Sequence, residues 1–449
     1  MAMVVKNNMS AINTLNTMTK NNSALGKSIQ KLSSGMKING AADDVSGYAI
    51  SEKMRVQIRS LDQANQNSQN GTSLMKVAEG AVSSTVEILK TLKEKVINSA
   101  NDTNTTSDRK MIQDELDQAI DQINDNASVT FNNKLLVDGS MNKESKATTN
   151  VFVNEAMSTA TAGASTLVTL KDRNGNDLNI KSTDKVTVSF VQNGKTVTTQ
   201  FSITSATTLN NIFSNANTAA TSAGLPAGPF AAAGANGKSE IGLNGQGVSQ
   251  YSADGSSVMT IAAAGSGVTN GISGFSISIT GADNNVKKSI NNYLDAWSEG
   301  IRAEDASGNN ALNLQIGTKS NQSINAGISD MRATALGLQG SDELTGTAKN
   351  INVTTKDNAN VAINVIDNAI QKALNEQTKL GAIQSRLSYT SDNLTTASEN
   401  VQAAESTIRD VDMAKEMTNF TKNNILMQAS QSMLAQANQS TQGVLSLLQ

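Results

Sequence analysis

The stretch from residue 366 to residue 408 reads IDNAIQKALNEQTKLGAIQSRLSYTSDNLTTASENVQAAESTI. Its apolar side chains recur at every seventh position, at Ile366, Ala373, Leu380, Leu387, Leu394, Val401 and Ile408. A seven-residue repeat sustained over this length is typical of a coiled-coil seam. At a rise of about 1.5 Å per residue, one helix through the stretch would be roughly 65 Å long. The sequence therefore predicts a single long helix with these residues as its core seam.

A second seam follows this helix after the phase breaks at RDVD, residues 409 to 412. Its apolar positions are Met413, Met417, Phe420, Met427, Leu434, Leu445 and Leu448, interrupted by Thr441. Methionines at 413, 417, 427 and 433 could also line an adaptable ligand groove. Helical spacing favours packing against other helices instead.

Helical periodicity also marks the first 140 residues. Four apolar stripes at helical spacing follow one another along this region. The first is Leu25, Ile29, Leu32 and Met36, and the second is Ile50, Met54, Ile58 and Leu61. The third is Val82, Val86, Leu89 and Val96, and the fourth is Ile112, Leu116, Ile120 and Ile123. GAADD, residues 40 to 44, predicts a turn. Asp43 and Asp44 could act as an acid–base pair, but adjacent side chains diverge, which favours a polar turn. NDTNTTS, residues 101 to 107, supplies N-cap residues between the last two stripes.

The seams near both chain ends indicate association with other helices. Six Leu-sized side chains contribute on the order of 10 kcal/mol when buried. Ordering about forty residues costs roughly 1–2 kcal/mol each in backbone entropy. We therefore expect many copies of the chain, or a long partner helix, to cover these seams. The predicted packing residues are Leu25, Ile29, Leu32, Met36, Met413, Met417, Phe420, Met427, Leu434, Leu445 and Leu448.

Residues 141 to 311 differ from both ends, because Ala, Gly, Ser, Thr and Asn dominate and strand alternation appears. Asn193-Gly194 separates two alternating runs, which predicts a β-hairpin. The runs are Val186, Val188 and Phe190, then Val197, Phe201 and Ile203. A weaker copy surrounds Asn174-Gly175, with Val168 and Leu170 before it and Leu178 and Ile180 after it. Pro226 and Pro229 lie in a stretch that we interpret as a loop or linker.

Composition argues against catalysis and against several classes of partner. The 449 residues include no His and no Cys, which removes the commonest general base, thiol nucleophiles and most metal ligands. The 36 basic and 39 acidic side chains give a net charge of −3, with no electrostatic footprint for nucleic acid. No 18 apolar residues run together, and the amino terminus lacks the pattern of a cleaved signal. We therefore expect that the chain is not an enzyme and that it binds no cofactor, metal, nucleic acid or membrane.

Two local motifs suggest ligand chemistry and fail on detail. AAGANGKS, residues 232 to 239, ends like a phosphate-binding loop, but Ala232 replaces the first glycine and no buried strand precedes it. Asp172, Asn174 and Asn176 alternate as in a calcium loop, yet Gly175 comes one place early and no glutamate closes the site. A flexible loop and a hairpin turn are the favoured interpretations.

Several stretches resemble bacterial flagellin. They are LSSGMKINGAADDVSGYAIS at 32 to 51, NSAND at 98 to 102 with FNNKLL after it, ALGLQ at 335 to 339, and NILMQASQSMLAQANQSTQGVLSLLQ at 424 to 449. The resemblance covers roughly residues 1–140 and 312–449, whereas the middle resembles no family. It implies a structural subunit that polymerises into the helical propeller of the bacterium.

The resemblance also implies an architecture of mainly α-helical terminal regions with coiled-coil pairing and a β-rich α+β insertion. Residues 1–41 with 409–449 would line the inner tube, and 42–140 with 312–408 would form a helical core domain. Residues 141–311 would project outward as a variable surface domain. Flagellins are exported unfolded through the flagellar channel, and they almost all lack cysteine. We therefore expect an extracellular filament protein.

The family implies partners beyond the chain itself, namely an export chaperone and the cap and junction proteins of the flagellum. A hook–filament junction protein is the nearest alternative identity, and a secreted adhesin with a helical stalk is another. A flagellin carrying a metallopeptidase would need HExxH, and the chain has no histidine.

A flagellin-sensing Toll-like receptor is a further partner that the resemblance implies. In recognised relatives the receptor binds an exposed helix face that carries a Leu-Gln-Arg triplet, a leucine one turn later and a glutamate on the following helix. The matching residues here are Leu89, Lys90, Thr91, Lys95 and Glu115. Because the arginine and the second leucine are absent, we expect weak activation.

Overall fold

Long helices occupy both ends of the chain and strands occupy its middle, as predicted. The computed structural model describes residues 8–225, 230, 236–253, 255–341 and 348–446. The helices are α1 (Met9–Ser34), α2 (Val45–Ser99), α3 (Thr106–Ala127), α4 (Leu209–Ser222), α5 (Lys288–Leu294), α6 (Ala333–Leu336), α7 (Lys356–Arg409) and α8 (Met413–Ser446). Leu167–Thr169 forms a 3₁₀ turn.

The seven-residue repeat lies in one continuous helix, α7, which confirms the prediction. The helix ends at Arg409, where the sequence phase breaks, and α8 begins at Met413. Burial changes along the seam: Ile366, Ala373, Leu380 and Leu387 are completely buried, Leu394 is almost buried, and Val401 and Ile408 are half-buried.

The amino-terminal helices follow the predicted breaks with two differences. Helix α1 ends at Ser34, and Gly35 takes a left-handed conformation with φ +68°. Met36 therefore lies beyond α1, and its assignment to the seam of that helix is wrong. The second and third predicted stripes belong to one helix, α2. Thr105 and Asp108 form a capping box at the start of α3.

Two small antiparallel sheets form the centre of the β-rich region. The strands are β1 (Thr130–Phe131), β2 (Lys134–Leu135), β3 (Val151–Asn154), β4 (Lys185–Gln192), β5 (Lys195–Ser202), β6 (Asn236–Lys238), β7 (Glu240–Leu243), β8 (Ser249–Tyr251), β9 (Val258–Ala262), β10 (Ile272–Thr280), β11 (Trp297–Ile301), β12 (Leu312–Gln315), β13 (Ser323–Ala326), β14 (Gln339–Ser341) and β15 (Ala348–Asn350). One of the two sheets has the order β10-β4-β5 and the other β11-β3-β9-β6. The remaining strands pair as β1-β2, β7-β8, β12-β13 and β14-β15.

The first predicted hairpin is confirmed. Strands β4 and β5 pair in register, with Phe190 opposite Val197. Asn193 and Gly194 both have positive φ, at +50° and +70°, as a type I′ turn requires.

The second predicted hairpin is present only as a short turn. Lys171 and Asp177 form an antiparallel bridge and the Leu178 N–H donates to the Leu170 carbonyl at 3.0 Å, whereas Val168 lies in the 3₁₀ turn, so the predicted first strand is wrong. The Asp172 carboxylate accepts the backbone N–H groups of Asn174 at 3.0 Å and Asn176 at 2.8 Å. Such local side-chain bonds compete with a strand ladder.

Aromatic residues are scarce in the chain but gather in the core of the β-rich region. The Phe275 ring contacts both Phe152 and Trp297, with ring centroids 5.2 Å and 5.1 Å apart. Phe213 of α4 reaches the same core, 6.4 Å from Phe275. Both prolines lie outside the described residues. The predicted loop that contains them continues into strands β6 and β7, so its later part is not a linker.

The chain divides into two compact units. The first unit comprises Met1–Ser68, Gln315–Gln322 and Tyr389–Gln449, and the second comprises Gln69–Leu314 and Ser323–Ser388. Helices α2 and α7 contribute residues to both. Among the described residues, the buried apolar side chains of the first unit are Leu25, Ile38, Leu61, Ala64 and Leu394, whereas the second unit holds an extensive core.

Candidate assembly surfaces

The two end helices of the chain, α1 and α8, pack as an antiparallel pair in the first unit. The Asn8 amide donates to the Ala437 carbonyl at 3.1 Å, and the Asn21 amide donates to the Ser430 hydroxyl at 3.0 Å. From the first of these contacts to the second, the residue number rises on the α1 side and falls on the α8 side, so the two helices are antiparallel. Polar side-chain contacts therefore help to hold the two helices together, and the pair does not depend on a continuous apolar seam alone.

The predicted packing residues divide by burial on this pair. Leu25 is buried, whereas Leu32, Phe420, Met427 and Leu434 are half-buried, and Ile29, Met413 and Met417 are exposed. Met36, in the connection after α1, is half-buried. Leu445 belongs to α8. Leu448 lies outside the described residues. Within one subunit the two helices thus leave three of these predicted packing side chains exposed and four half-buried.

Further exposed apolar side chains on these helices were missed by the sequence reasoning. They are Met9, Ile12 and Leu15 on α1 and Ile425 and Leu426 on α8. Ile425 is 60% exposed and Met433 is 62% exposed. The continuous apolar run ILM at 425 to 427 could have indicated this exposure. Three successive side chains on a helix point in different directions, so one neighbouring helix cannot cover all of them. Monomeric proteins rarely leave so many large apolar side chains on one element.

The receptor-equivalent residues lie on α2 and α3. Leu89 is completely buried, so its expected position on an exposed surface is wrong. Lys90 pairs with Glu87 at 2.8 Å, and the Thr91 hydroxyl donates to the Glu87 carbonyl at 3.1 Å. Lys95 pairs with Glu115 at 2.9 Å. An exposed pair of this kind contributes little to stability, but it occupies the Glu115 carboxylate.

A polar stripe on α7 contacts the β-rich region within the second unit. The Asn364 amide donates to the Phe275 carbonyl and the Asn368 amide donates to the Ser273 carbonyl, both at 3.0 Å. Gly274 lies so close to α7 that a Cβ there would come within 2.9 Å of Val365. Strand β10 is therefore held against α7 by side-chain amides and by direct contact.

One carboxylate of this contact has a perturbed pKa. Burial raises the pKa of Asp295 from 3.8 to about 6, although the Ile277 N–H donates to this carboxylate at 3.2 Å. The Ser276 and Asn364 side chains also face it. The charged form of Asp295 therefore opposes folding at neutral pH.

The ligand motifs do not assemble into a site. Asp43 accepts the Asn39 N–H at 3.1 Å and Asp44 accepts the Gly47 N–H at 3.0 Å, so both carboxylates hold the turn before α2. Residues 236 to 238 of the phosphate-loop-like segment form β6 rather than a helix start, and residues 232 to 235 lie outside the described residues. Within the described ranges, no three His, Cys, Asp or Glu residues gather as metal ligands.

In the part of the chain that the structure describes, no helix is both long enough and apolar enough to cross a membrane.

Known proteins resemble this chain from end to end. The family descriptions that match are Bacterial flagellin N-terminal helical region, at residues 5–142, and Bacterial flagellin C-terminal helical region, at residues 363–448. A flagellin of Clostridium tyrobutyricum is 35% identical over 441 residues, covering 98% of this chain and 100% of the relative. A flagellin of Bacillus subtilis (strain 168) is 30% identical over 462 positions, covering 99% and 100%. A flagellar filament 33 kDa core protein of Treponema phagedenis is 29% identical over 447 positions, covering 99% and 100%.

Proposed function

This chain belongs to the bacterial flagellin family, and we propose that it is a structural subunit of the flagellar filament that polymerises with copies of itself. The observation that carries the proposal is the set of exposed apolar side chains on α1 and α8. Relatives named as flagellins or as a filament core protein match the chain over almost its whole length.

The energetics of the end helices support assembly. The exposed side chains are Met9, Ile12, Leu15 and Ile29 on α1, and Met413, Met417, Ile425, Leu426 and Met433 on α8. Each is about half exposed, so covering all of them would contribute on the order of 10 kcal/mol. Contacts with neighbouring copies can cover these side chains. The few buried apolar residues of the first unit do not cover them within one chain.

The test is polymerisation of the purified full-length chain, seeded with short filament fragments and followed by electron microscopy. Long filaments that grow from the seeds are expected. A hook–filament junction protein, the main alternative, would instead add to seed ends without extending them. A folded chain that never elongates under precipitating salt would contradict the proposal.

The three-domain division is part of the proposal. Residues 1–41 with 409–449 would line the inner tube, residues 42–140 with 312–408 would form the helical core, and residues 141–311 would face outward. A chain in which a short linker replaces residues 146–310 should still form filaments. Its melting temperature should fall, because Val365 and the Asn364 and Asn368 amides lose their partners on β10.

A matched control for the deletion is the same chain with Val365→Thr, which makes the newly exposed position more polar and should improve solubility. Failure of both deletion chains to fold or polymerise would contradict the surface placement of the middle region.

The proposed location is the extracellular filament, reached by export through the flagellum. An export chaperone that covers the end helices before assembly, and cap and junction proteins at the filament ends, complete the proposed set of partners. Coprecipitation of the unassembled chain with its own export chaperone would test the first of these. An end-helix charge variant, Ile425→Asp, should weaken that complex.

The flagellin-sensing Toll-like receptor is a proposed weak partner. Thr91 lacks the donors of an arginine, and Lys95 brings a charge that is paired with Glu115. We expect activation at least about tenfold weaker than that by a flagellin with the full motif, a difference of about 1.4 kcal/mol or more. The double variant Thr91→Arg, Lys95→Leu should gain activity in reporter cells, and Lys110→Leu is the matched control. Potent activation by the unmodified chain would contradict this.

A further inference from the structure

Two chain connections run side by side in the first unit. Residues 35 to 44 join α1 to α2, and residues 410 to 412 join α7 to α8. The Lys37 N–H donates to the Arg409 carbonyl at 2.6 Å, and the Val411 N–H donates to the Gly35 carbonyl at 3.0 Å. These bonds flank a bridge between Met36 and Asp410. The point at which both end helices begin their pairing is therefore tied by backbone hydrogen bonds.

Arg409 adds a buried side chain to these backbone bonds. Its side chain is 6% exposed, and its Nη1 lies 2.6 Å from the Glu52 Oε1 and 3.4 Å from the Ser51 hydroxyl. Its guanidinium lies 5.6 Å from the centre of the Tyr48 ring, and its Nε lies 3.1 Å from the Met36 sulfur. The last residue of α7 thus contacts both the connection after α1 and the first turns of α2.

The chemistry of these contacts requires an arginine. A planar guanidinium can donate in several directions while one face lies on an aromatic ring, which a lysine ammonium cannot reproduce. The Glu52 carboxylate also pairs with Arg55 at 3.4 Å, but that arginine is 42% exposed. The two arginines therefore share a partner and differ in burial.

Packing near Arg409 is supported by a separate apolar contact. Ile38 is buried, and a Cβ at Gly47 would come within 2.7 Å of its Cδ1. The connection formed by residues 35 to 44 is therefore also held in place by apolar packing. Removing the Arg409 side chain should free the register of the two connections without unfolding the region.

We propose that Arg409 is a positioning residue for assembly, which locks the two connections in register so that α1 and α8 extend along one fixed path. This inference rests on the proposed self-assembly, because a fixed path matters only if the end helices meet neighbouring subunits. The Arg409 side chain is 6% exposed, so its contacts lie within its own subunit. It acts by limiting the directions that the paired end helices can take.

The experiment compares Arg409→Met and Arg409→Lys with the control Arg55→Met in the full-length chain. Arg409→Met should raise the critical concentration for seeded elongation by about tenfold or more, and Arg409→Lys by less. The exchange rates of the Lys37 and Val411 amide hydrogens should rise by about tenfold in Arg409→Met, because their bonds open more often. Arg55→Met should change neither quantity, and all three variants should keep the main melting transition.

The outcomes separate this inference from the proposed function. If the unmodified chain does not elongate from seeds, self-assembly itself is wrong. If it elongates and Arg409→Met elongates at the same critical concentration, only the role of Arg409 is wrong. A large loss of the main melting transition in Arg409→Met would also overturn the inference, since Arg409 would then be needed for the fold as a whole.

Discussion

In the second unit the α7 seam residues Ile366, Leu380 and Leu387 are completely buried, whereas in the first unit Val401 and Ile408 of the same seam are half-buried. One helix with one repeat therefore lies in two environments. The same contrast holds for whole units, because the first unit keeps few apolar side chains inside and exposes many on α1 and α8. A seven-residue repeat therefore predicts that one face of a helix is packed against another helix. It does not predict whether that helix belongs to the same chain or to another copy.

The contrast also separates stability from assembly. Burial of the α7 seam stabilises the second unit within one chain. The end helices of the first unit gain comparable burial only from other copies under the proposed function. Substitutions in the two units should therefore change different measurements.

The largest expected effect is that of Leu387→Asp in the second unit. A carboxylate in this completely buried position should destabilise the chain by about 4 kcal/mol or more. Thermal unfolding followed by circular dichroism would show a large fall in melting temperature. Leu374→Asp, at an exposed position of the same helix, is the control and should melt almost normally. Equal melting of both variants would contradict the assigned seam.

A smaller effect of opposite sign is expected for Asp295→Asn in the same unit. The pKa of Asp295 in the folded chain, about 6, lies above its ordinary value of 3.8. The folded chain therefore binds this proton more tightly and loses stability as pH rises between these two values. The substitution should raise the free energy of unfolding by about 1–2 kcal/mol at pH 8 and leave it unchanged below pH 4. Urea titrations at both pH values measure this, with exposed Asp283→Asn as the control. A gain that is independent of pH would show that ionisation is not the cause.

The smallest effect on stability is expected for Leu434→Asp in the first unit. Leu434 is half-buried on α8, so the main melting transition should stay within a few degrees of the unmodified chain. Filament elongation should be abolished, because a charge would enter a packed layer between subunits. Sedimentation of seeded reactions measures this, and Ser432→Asp on the same helix is the control. Normal elongation of Leu434→Asp would remove this residue from the proposed interface.

The sequence predicted the features that depend on local chemistry. The repeat from Ile366 to Ile408 located α7, and the residues of RDVD located its end. Asn193-Gly194 located the β4-β5 hairpin, because both residues tolerate positive φ. Such signals need no knowledge of distant partners.

The features that the sequence could not predict depend on distant contacts. Leu89 has the spacing of a core residue and of a surface motif alike, and only the packing of α2 decides between them. The second predicted hairpin is short, because the Asp172 carboxylate accepts backbone N–H groups of its own turn. Arg409 marked a break in periodicity, but its partner Glu52 is remote in sequence. The exposure of Ile425 likewise follows from which face of α8 meets α1.

The central claim is that the exposed apolar side chains of the first unit become covered when subunits assemble, whereas the surface of the β-rich region stays open. The chain has no cysteine, so Ile425→Cys and Tyr251→Cys each introduce a single thiol, both at positions at least 60% exposed. The most direct measurement is the rate at which a maleimide labels each thiol in the monomer and in the filament. We expect labelling at residue 425 to slow by about a hundredfold in the filament, because packed interfaces exclude solvent and reagent, and labelling at residue 251 to remain within about twofold. Equal labelling rates at residue 425 in monomer and filament would contradict the account.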